Sequence, residues 1–398
     1  MLVGHIDIAE YYCIAGWVAD PAAPDRRITL EVLVGGEIVG RAVADRARPD
    51  LARHGGFGDG NHGFLHYFDR PLPMTRAFNI AVRDAATGAL MPGGAFSLPP
   101  EPIAPVRGLP AVPTLTPVLV TSAGRSGSTL LMGRLRQHPD IIVADQPPFE
   151  MKQATYYAKA FDVLTSPGNR ERSLAPEKIY DDPFTLGFNP YHHLDFESVF
   201  PDPGALYEFQ RTTAASILAA AFADILNRFY VGLGAAQRKP GAGCFAEKCS
   251  IYDPTRAFVR AVAPGTKEIV LVRDPRDLFL SYRAFWHTTP EYTHQVLRSL
   301  RNALAAIAAA PSPLVLPVRY EDLVTDAAAT MKRIGAFLGL DQGLTARGPG
   351  ETALFAGHGT AGAPERSIGR WREELPAEEG VAMTHEFGNM LEAFGYER

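Results

Sequence analysis

Between residues 98 and 117 the chain reads LPPEPIAPVRGLPAVPTLTP. Proline at this density removes backbone donors and fixes φ, so neither a packed helix nor a central strand runs through it. The hydrophobic pattern differs on its two sides. Before it, short alternating runs such as ITLEVLVGG and AFNIAVRDAATG recur between Gly, Asp and Pro clusters, which predicts a small all-β, sandwich-like domain. The stretch HGGFGDGNHGF, 54–64, is too glycine-rich for a helix and reads as a loop between strands. After residue 117, apolar runs including KEIVLV (267–272) and LVLPVRYEDL (314–323) alternate with helical patterns. Among the latter are FEMKQATYYAKAFDVL (149–164) and GALYEFQRTTAASILAAAFADILNRF (204–229). Strands alternating with helices predict a parallel α/β sheet. The expected organisation is a β-rich domain over 1–100, a linker over 101–116 and an α/β domain over 117–398.

Composition narrows the function classes. A net charge of −5 argues against a general nucleic-acid binder, while a nucleotide pocket needs only a few local cations. Three cysteines, Cys13, Cys244 and Cys249, form neither a disulfide framework nor a zinc pattern. His62 and His66 lack a third ligand fixed by spacing, so no metal is expected. The N-terminal MLVGHIDIAEYY has no signal-peptide pattern, and no uninterrupted apolar run reaches the ~18 residues of a membrane span. A soluble cytoplasmic protein is expected, and the Ala, Gly, Pro and Arg content suggests a bacterial source. ALAAIAAA, 303–310, suits a buried helix. Residues 165–200, rich in Pro, Asn and Asp, suit a substrate loop.

Two short stretches carry chemistry. TSAGRSGSTLLMGRLRQHP, 121–139, follows an apolar strand and opens a helix expected over about 127–138. Set against the phosphate loop G-x-x-x-x-G-K-[ST], it keeps Gly127 and Thr129 but places Ser122 at the first glycine and Ser128 at the lysine. Backbone N–H groups around Gly127–Thr129, hydroxyls of Ser126, Ser128 and Thr129, and the charge of Arg125 suit one phosphate. A plain Gly/Ser helix start is the alternative. In KEIVLVRDPRDLFLSYRAFW, 267–286, Asp274 is a natural N-cap and Pro275 a natural first helical residue. Arg273 then ends a strand and Ser281 lies about two turns into the helix. Both converge on the sheet edge where α/β proteins bind ligands, unless Arg273 pairs with Asp274 or Asp277 on the surface.

GRSGSTLL followed by RDPRDLFLSY resembles the sulfotransferases that use 3′-phosphoadenosine 5′-phosphosulfate, over roughly 117–375. The resemblance implies a P-loop-NTPase-like sheet and a transfer of sulfate to an acceptor hydroxyl: a glycan, glycolipid, peptide tyrosine or metabolite. It makes Arg125 and Ser126–Thr129 the 5′-phosphosulfate loop, and Arg273 with Ser281 the 3′-phosphate site. The donor bears no γ-phosphate, which accounts for the missing lysine. Arginine at 125 resembles the tyrosylprotein-like branch. That likeness makes Glu150, in DQPPFEMKQ, the general base, against a solvated helix-start glutamate. It makes Lys248, in CFAEKCSIYDP, a stabiliser of the sulfuryl group, against a surface pair with Glu247.

In PERSIGRWREEL, 364–375, Ser367 matches a serine near the sulfate. The arginine-lysine-glycine of the cytosolic branch is missing, Arg366 is displaced from it, and Trp371 suits the core better than an adenine stack. Tyr320 matches a position near the adenine, or is a buried helix-start tyrosine. His192, His193 and His287 match no family base. The rival readings are a phosphotransferase of the same parent fold, which the missing lysine disfavours, and a non-catalytic nucleotide- or carbohydrate-binding protein.

Overall fold

The computed structural model describes residues 2–398 except 54–55, 70–71, 75, 101–108, 166–207, 252–254, 347–350 and 352–358. The expected substrate loop, with His192 and His193, lies outside the described residues. The chain divides into two compact units, Met1–Pro110 and Ala111–Arg398.

The first unit holds two four-stranded antiparallel sheets. One is formed by β1 (Val3–Ala9), β2 (Cys13–Ala19), β6 (Asn61–Tyr67) and β5 (Arg46–Ala47), in that order; the other by β4 (Glu37–Val43), β3 (Thr29–Val34), β7 (Phe78–Asp84) and β8 (Leu90–Leu98). Gly35 and Gly36, both at positive φ, close the β3–β4 hairpin, as a two-residue turn demands. Inward residues Ile14, Val18, Leu30, Val32, Phe64, Ile80 and Val82 form one core between the sheets. The glycine-rich stretch is a loop only as far as Gly60; His62 and His66 belong to strand β6. His62 Nε2 lies 3.0 Å from the Phe57 carbonyl, and His66 packs edge-on against Phe68.

The second unit carries a five-stranded parallel sheet. Its order is β10 (Ile141–Ile142), β11 (Cys244–Ser250), β9 (Thr116–Ser122), β12 (Lys267–Val272) and β13 (Val315–Arg319). Both faces are covered. Val118, Val120, Ile269 and Leu271 meet helices α2 (Ser128–Leu135) and α9 (Ala327–Leu338) on one side. Val270 and Val272 pack on the other against α6 (Pro275–Trp286) and α7 (Pro290–Ala309). Burial on both faces is why these strands read as continuous apolar runs.

Several boundaries move from expectation. Helix α3 (Gln153–Thr165) begins at Gln153, not at Phe149. The run 314–323 is strand only to Arg319, and Tyr320 opens helix α8 (Tyr320–Thr325). Pro317 is accommodated because β13 is an edge strand. The alanine-rich end of α7 is not buried: Leu304 is enclosed, but Ala305, Ala306, Ala308 and Ala309 face solvent. Helix α4 (Ala215–Ala236), with the wide turn before it, makes Thr212–Ala236 a 25-residue helix long and apolar enough to cross a membrane. The expectation of no such segment missed it because Asp224, Asn227 and Arg228 interrupt the run. Leu226 and Tyr230 of this helix pack into the core against Phe245.

Candidate active site

β9 is the central strand, and the segment after it is held between two aromatic rings. Gly127, at φ 85°, immediately precedes α2; a Cβ there would stand 2.4 Å from the Tyr320 ring. A Cβ on Gly124 would stand 2.4 Å from the Trp286 indole. Arg125 also has positive φ, 68°, uncommon for a side-chain-bearing residue and typical of strained functional loops. No side chain caps α2. Its first N–H groups have no partner in the helix itself, the arrangement that can receive an anion.

At the end of β12, Arg273 is 4% exposed. Its Nη1 donates to the Arg125 carbonyl and its Nη2 to the Ser367 carbonyl, both at 2.8 Å, while its guanidinium lies 4.7 Å from the Tyr320 ring centroid. Arg273 Nε has no hydrogen-bond partner among the described residues. The surface pairing with Asp274 or Asp277 does not occur. Asp274 caps α6 through the Arg276 N–H and pairs with the Arg276 guanidinium. Asp277 accepts from the main-chain N–H groups of Gly369 and Trp371. Ser281, fully buried, meets Arg125 Nε at 3.4 Å and Thr360 Oγ1 at 3.2 Å. Burial, with Arg273 close by, pulls the Arg125 guanidinium down to about 10, so its charge is under-solvated and favours an anion. The Phe285 ring lies 3.9 Å from the same guanidinium.

Arg125, Gly127, Ser128, Thr129, Arg273, Ser281, Tyr320 and Ser367 line a single pocket. Tyr320 and Ser367 share a hydroxyl–hydroxyl bond of 2.8 Å. Ser126 is buried behind the loop, and Arg366 is exposed and outside the lining. Glu351, Gly359 and Thr360 also line the pocket; sequence reading missed them because their stretch is Gly- and Pro-rich and lacks periodicity. Trp371 stays out of the pocket and stacks on the Arg276 guanidinium at 3.7 Å. His287 ends α6 with a left-handed backbone.

β11 adds a third group. Lys248 Nζ donates to Thr129 Oγ1 at 2.7 Å and to Glu150 Oε1 at 3.1 Å. Lys152 Nζ lies 3.2 Å from Glu150 Oε2. Phe149 and Lys152, flanking this carboxylate, both have positive φ. Burial alone would raise the Glu150 carboxyl, but the Lys248 ammonium, helped by Lys152, outweighs it and holds the group below the usual glutamate range. Burial pulls the Lys248 ammonium down while Glu150 opposes. Glu247, the expected surface partner of Lys248, points to the other face of the strand. There it accepts from the Ala154 N–H at the start of α3 and from the Tyr230 hydroxyl.

Comparison with known proteins accords with this geometry. The sulfotransferase family model matches residues 117–343, more than half of the chain. Solved structures similar to it include the sulfotransferase domain of the Synechococcus PCC 7002 olefin synthase: 23% identity, 73% of this chain and 98% of that one covered, TM-score 0.39. The sulfotransferase domain from the curacin biosynthetic pathway shows 17% identity, coverage of 72% and 99%, and a TM-score of 0.41. The mouse sulfotransferase SULT7A1, complexed with PAP, shows 14% identity, coverage of 70% and 85%, and a TM-score of 0.34. No curated protein matches. With the family matched over the segment that holds the loop, Glu150, Lys248, Arg273 and Ser281, this chain belongs to the sulfotransferase family.

Proposed function

We propose that the chain transfers a sulfuryl group from 3′-phosphoadenosine 5′-phosphosulfate to an acceptor hydroxyl. The observation that carries this reading is the single pocket joining the uncapped start of α2 to Arg273, at the neighbouring strand end, and Ser281 on the helix that follows it. Two anion positions side by side suit a nucleotide phosphorylated at both the 5′ and 3′ positions. The loop from Arg125 to Thr129 holds the 5′-phosphosulfate, and Arg273 with Ser281 the 3′-phosphate; Tyr320 and Ser367 form the wall between them. The three cysteines are all free and buried, which supports a reducing, cytoplasmic setting.

In the transfer, the acceptor oxygen forms a bond to sulfur in line with the departing 5′-phosphate oxygen. The bond between sulfur and that phosphate oxygen breaks, and its electron pair stays on the nucleotide. Glu150 takes the acceptor's proton, and Lys248 and Arg125 offset charge on the transferring group. The ion pair between Glu150 and Lys248 gives this a definite order. A carboxylate held by an ammonium is a weak base; once Lys248 turns to the sulfuryl oxygens, Glu150 regains basicity where the proton must go. Calorimetry with 3′-phosphoadenosine 5′-phosphate and with ATP tests the reading. The first is expected to bind more tightly and without Mg²⁺; equal binding, or an Mg²⁺ requirement, overturns it.

A further inference from the structure

Glu247 and Lys248 are neighbours on β11, and between them they hold both ends of the stretch that carries Glu150. From one face of the strand Lys248 Nζ reaches the Glu150 carboxylate at 3.1 Å. From the other, both Glu247 carboxylate oxygens accept from the Ala154 N–H, at 2.9 and 3.1 Å. Ala154 is the second residue of α3, whose first turn has no acidic residue of its own. A helix start leaves N–H groups without partners and carries partial positive charge, so a carboxylate is favourable there. Here it comes from a strand. Glu247 is 2% exposed and is fixed in turn by the Tyr230 hydroxyl at 2.7 Å, whose ring stacks on Phe245 of the same strand. Between the two grips the backbone is left-handed at Lys152 (φ 54°), and just before them at Phe149 (φ 63°). Side-chain-bearing residues keep such conformations only where the surroundings hold them.

We propose that Glu247 is a positioning residue for the reaction. By clamping the start of α3 to β11 it keeps the Glu150 carboxylate in register with Lys248 on the same strand. It touches no reacting atom. This rests on the reading above, in which Glu150 is the base. The buried Phe149 ring anchors the stretch on its near side, and the Glu247 clamp ties the far side to the strand that bears Lys248. One strand thus sets the distance between base and ammonium twice, once through a side chain and once through the main chain.

The test is a double-mutant cycle on the full chain, read by thermal unfolding at neutral pH and by slow hydrolysis of labelled 3′-phosphoadenosine 5′-phosphosulfate. Glu150→Gln removes the ion pair with Lys248 and lowers the melting temperature. In a Glu247→Ala background that drop is expected to shrink, because the pair is already loosened. Hydrolysis should fall roughly 10- to 100-fold, as for a misplaced catalytic group, with affinity for 3′-phosphoadenosine 5′-phosphate unchanged. Glu247→Gln, which keeps an oxygen for the Ala154 N–H, should restore most of both. Tyr230→Phe, which loosens the same carboxylate, should shift both readouts in the same direction by less, and serves if Glu247→Ala does not fold. A merely structural Glu247 gives additive losses of stability and hydrolysis reduced only by the unfolded fraction; either result overturns the inference. Should Glu150→Gln itself hydrolyse donor at the wild-type rate, the base reading fails and this inference with it.

Discussion

At the end of β9 the helix start has no side-chain cap, and the loop before it holds Arg125 and Gly127 at positive φ. At the end of β12 Asp274 caps the helix, Pro275 begins it, and the backbone is conventional. Both turns face one pocket. In the first, the main chain itself is left uncapped, which under the proposed function offers it to an anion with side chains assisting. In the second, the helix end is occupied by its own cap, so under that reading recognition would pass to side chains: Arg273 at the strand end and Ser281 two turns on. A helix N-terminus serves stability or ligand binding according to whether a side chain has already taken its N–H groups.

The largest effect should come from a change that touches neither turn. Glu150→Gln should lower turnover by roughly 10²–10⁴-fold while the affinity for 3′-phosphoadenosine 5′-phosphate stays the same. Sulfate transfer from labelled donor, or slow donor hydrolysis, measures it; normal turnover would place the base elsewhere. Next, Asp274→Ala breaks the capped turn. It leaves the fully buried Arg276 without its carboxylate, at a cost of about 3–5 kcal/mol in folding stability. Denaturant unfolding would show this, and residual folded protein should bind nucleotide normally.

The uncapped turn should fail the other way. Gly127→Ala forces an unfavourable φ, worth roughly 1–3 kcal/mol, and pushes against Tyr320; nucleotide affinity should drop further than the melting temperature suggests. If Asp274→Ala weakened binding selectively, or Gly127→Ala only lowered stability, the contrast between the turns would collapse. The smallest effect is acid sensitivity. The folded-state value of Glu150 lies below its unfolded one, so its contribution is complete above the ordinary glutamate range. It disappears as pH falls through the depressed value. The melting-temperature gap between wild type and Glu150→Gln should therefore be present at neutral pH and close in acid.

What could be read from sequence was local. The loop 122–129, the Arg273–Asp274–Pro275 turn and Ser281 each lie within one strand–helix junction, where glycine, proline and cap residues act over a few positions. Lys248 and Glu150 were named through a resemblance, since nothing local joins them; it is the parallel pairing of β9 with β11 that sets Lys248 beside Thr129. Thr360 and Glu351 were illegible because they come from an aperiodic stretch far along the chain. The placement of Tyr320 under Gly127 was equally hidden: a glycine shows that space is needed, not what fills it. His62 was misplaced for the opposite reason, because glycines around a strand made it look like a loop.

Asp277 grips the segment that brings Ser367 to the pocket, and it does so through main-chain N–H groups at 369 and 371. An anchor of that kind does not depend on which side chains the segment carries, apart from the glycine that its positive φ favours at 369 and the exclusion of proline at either position. Side chains elsewhere on the segment can thus be exchanged while the segment stays in place, so this wall of the pocket can change its chemistry without coming unfastened.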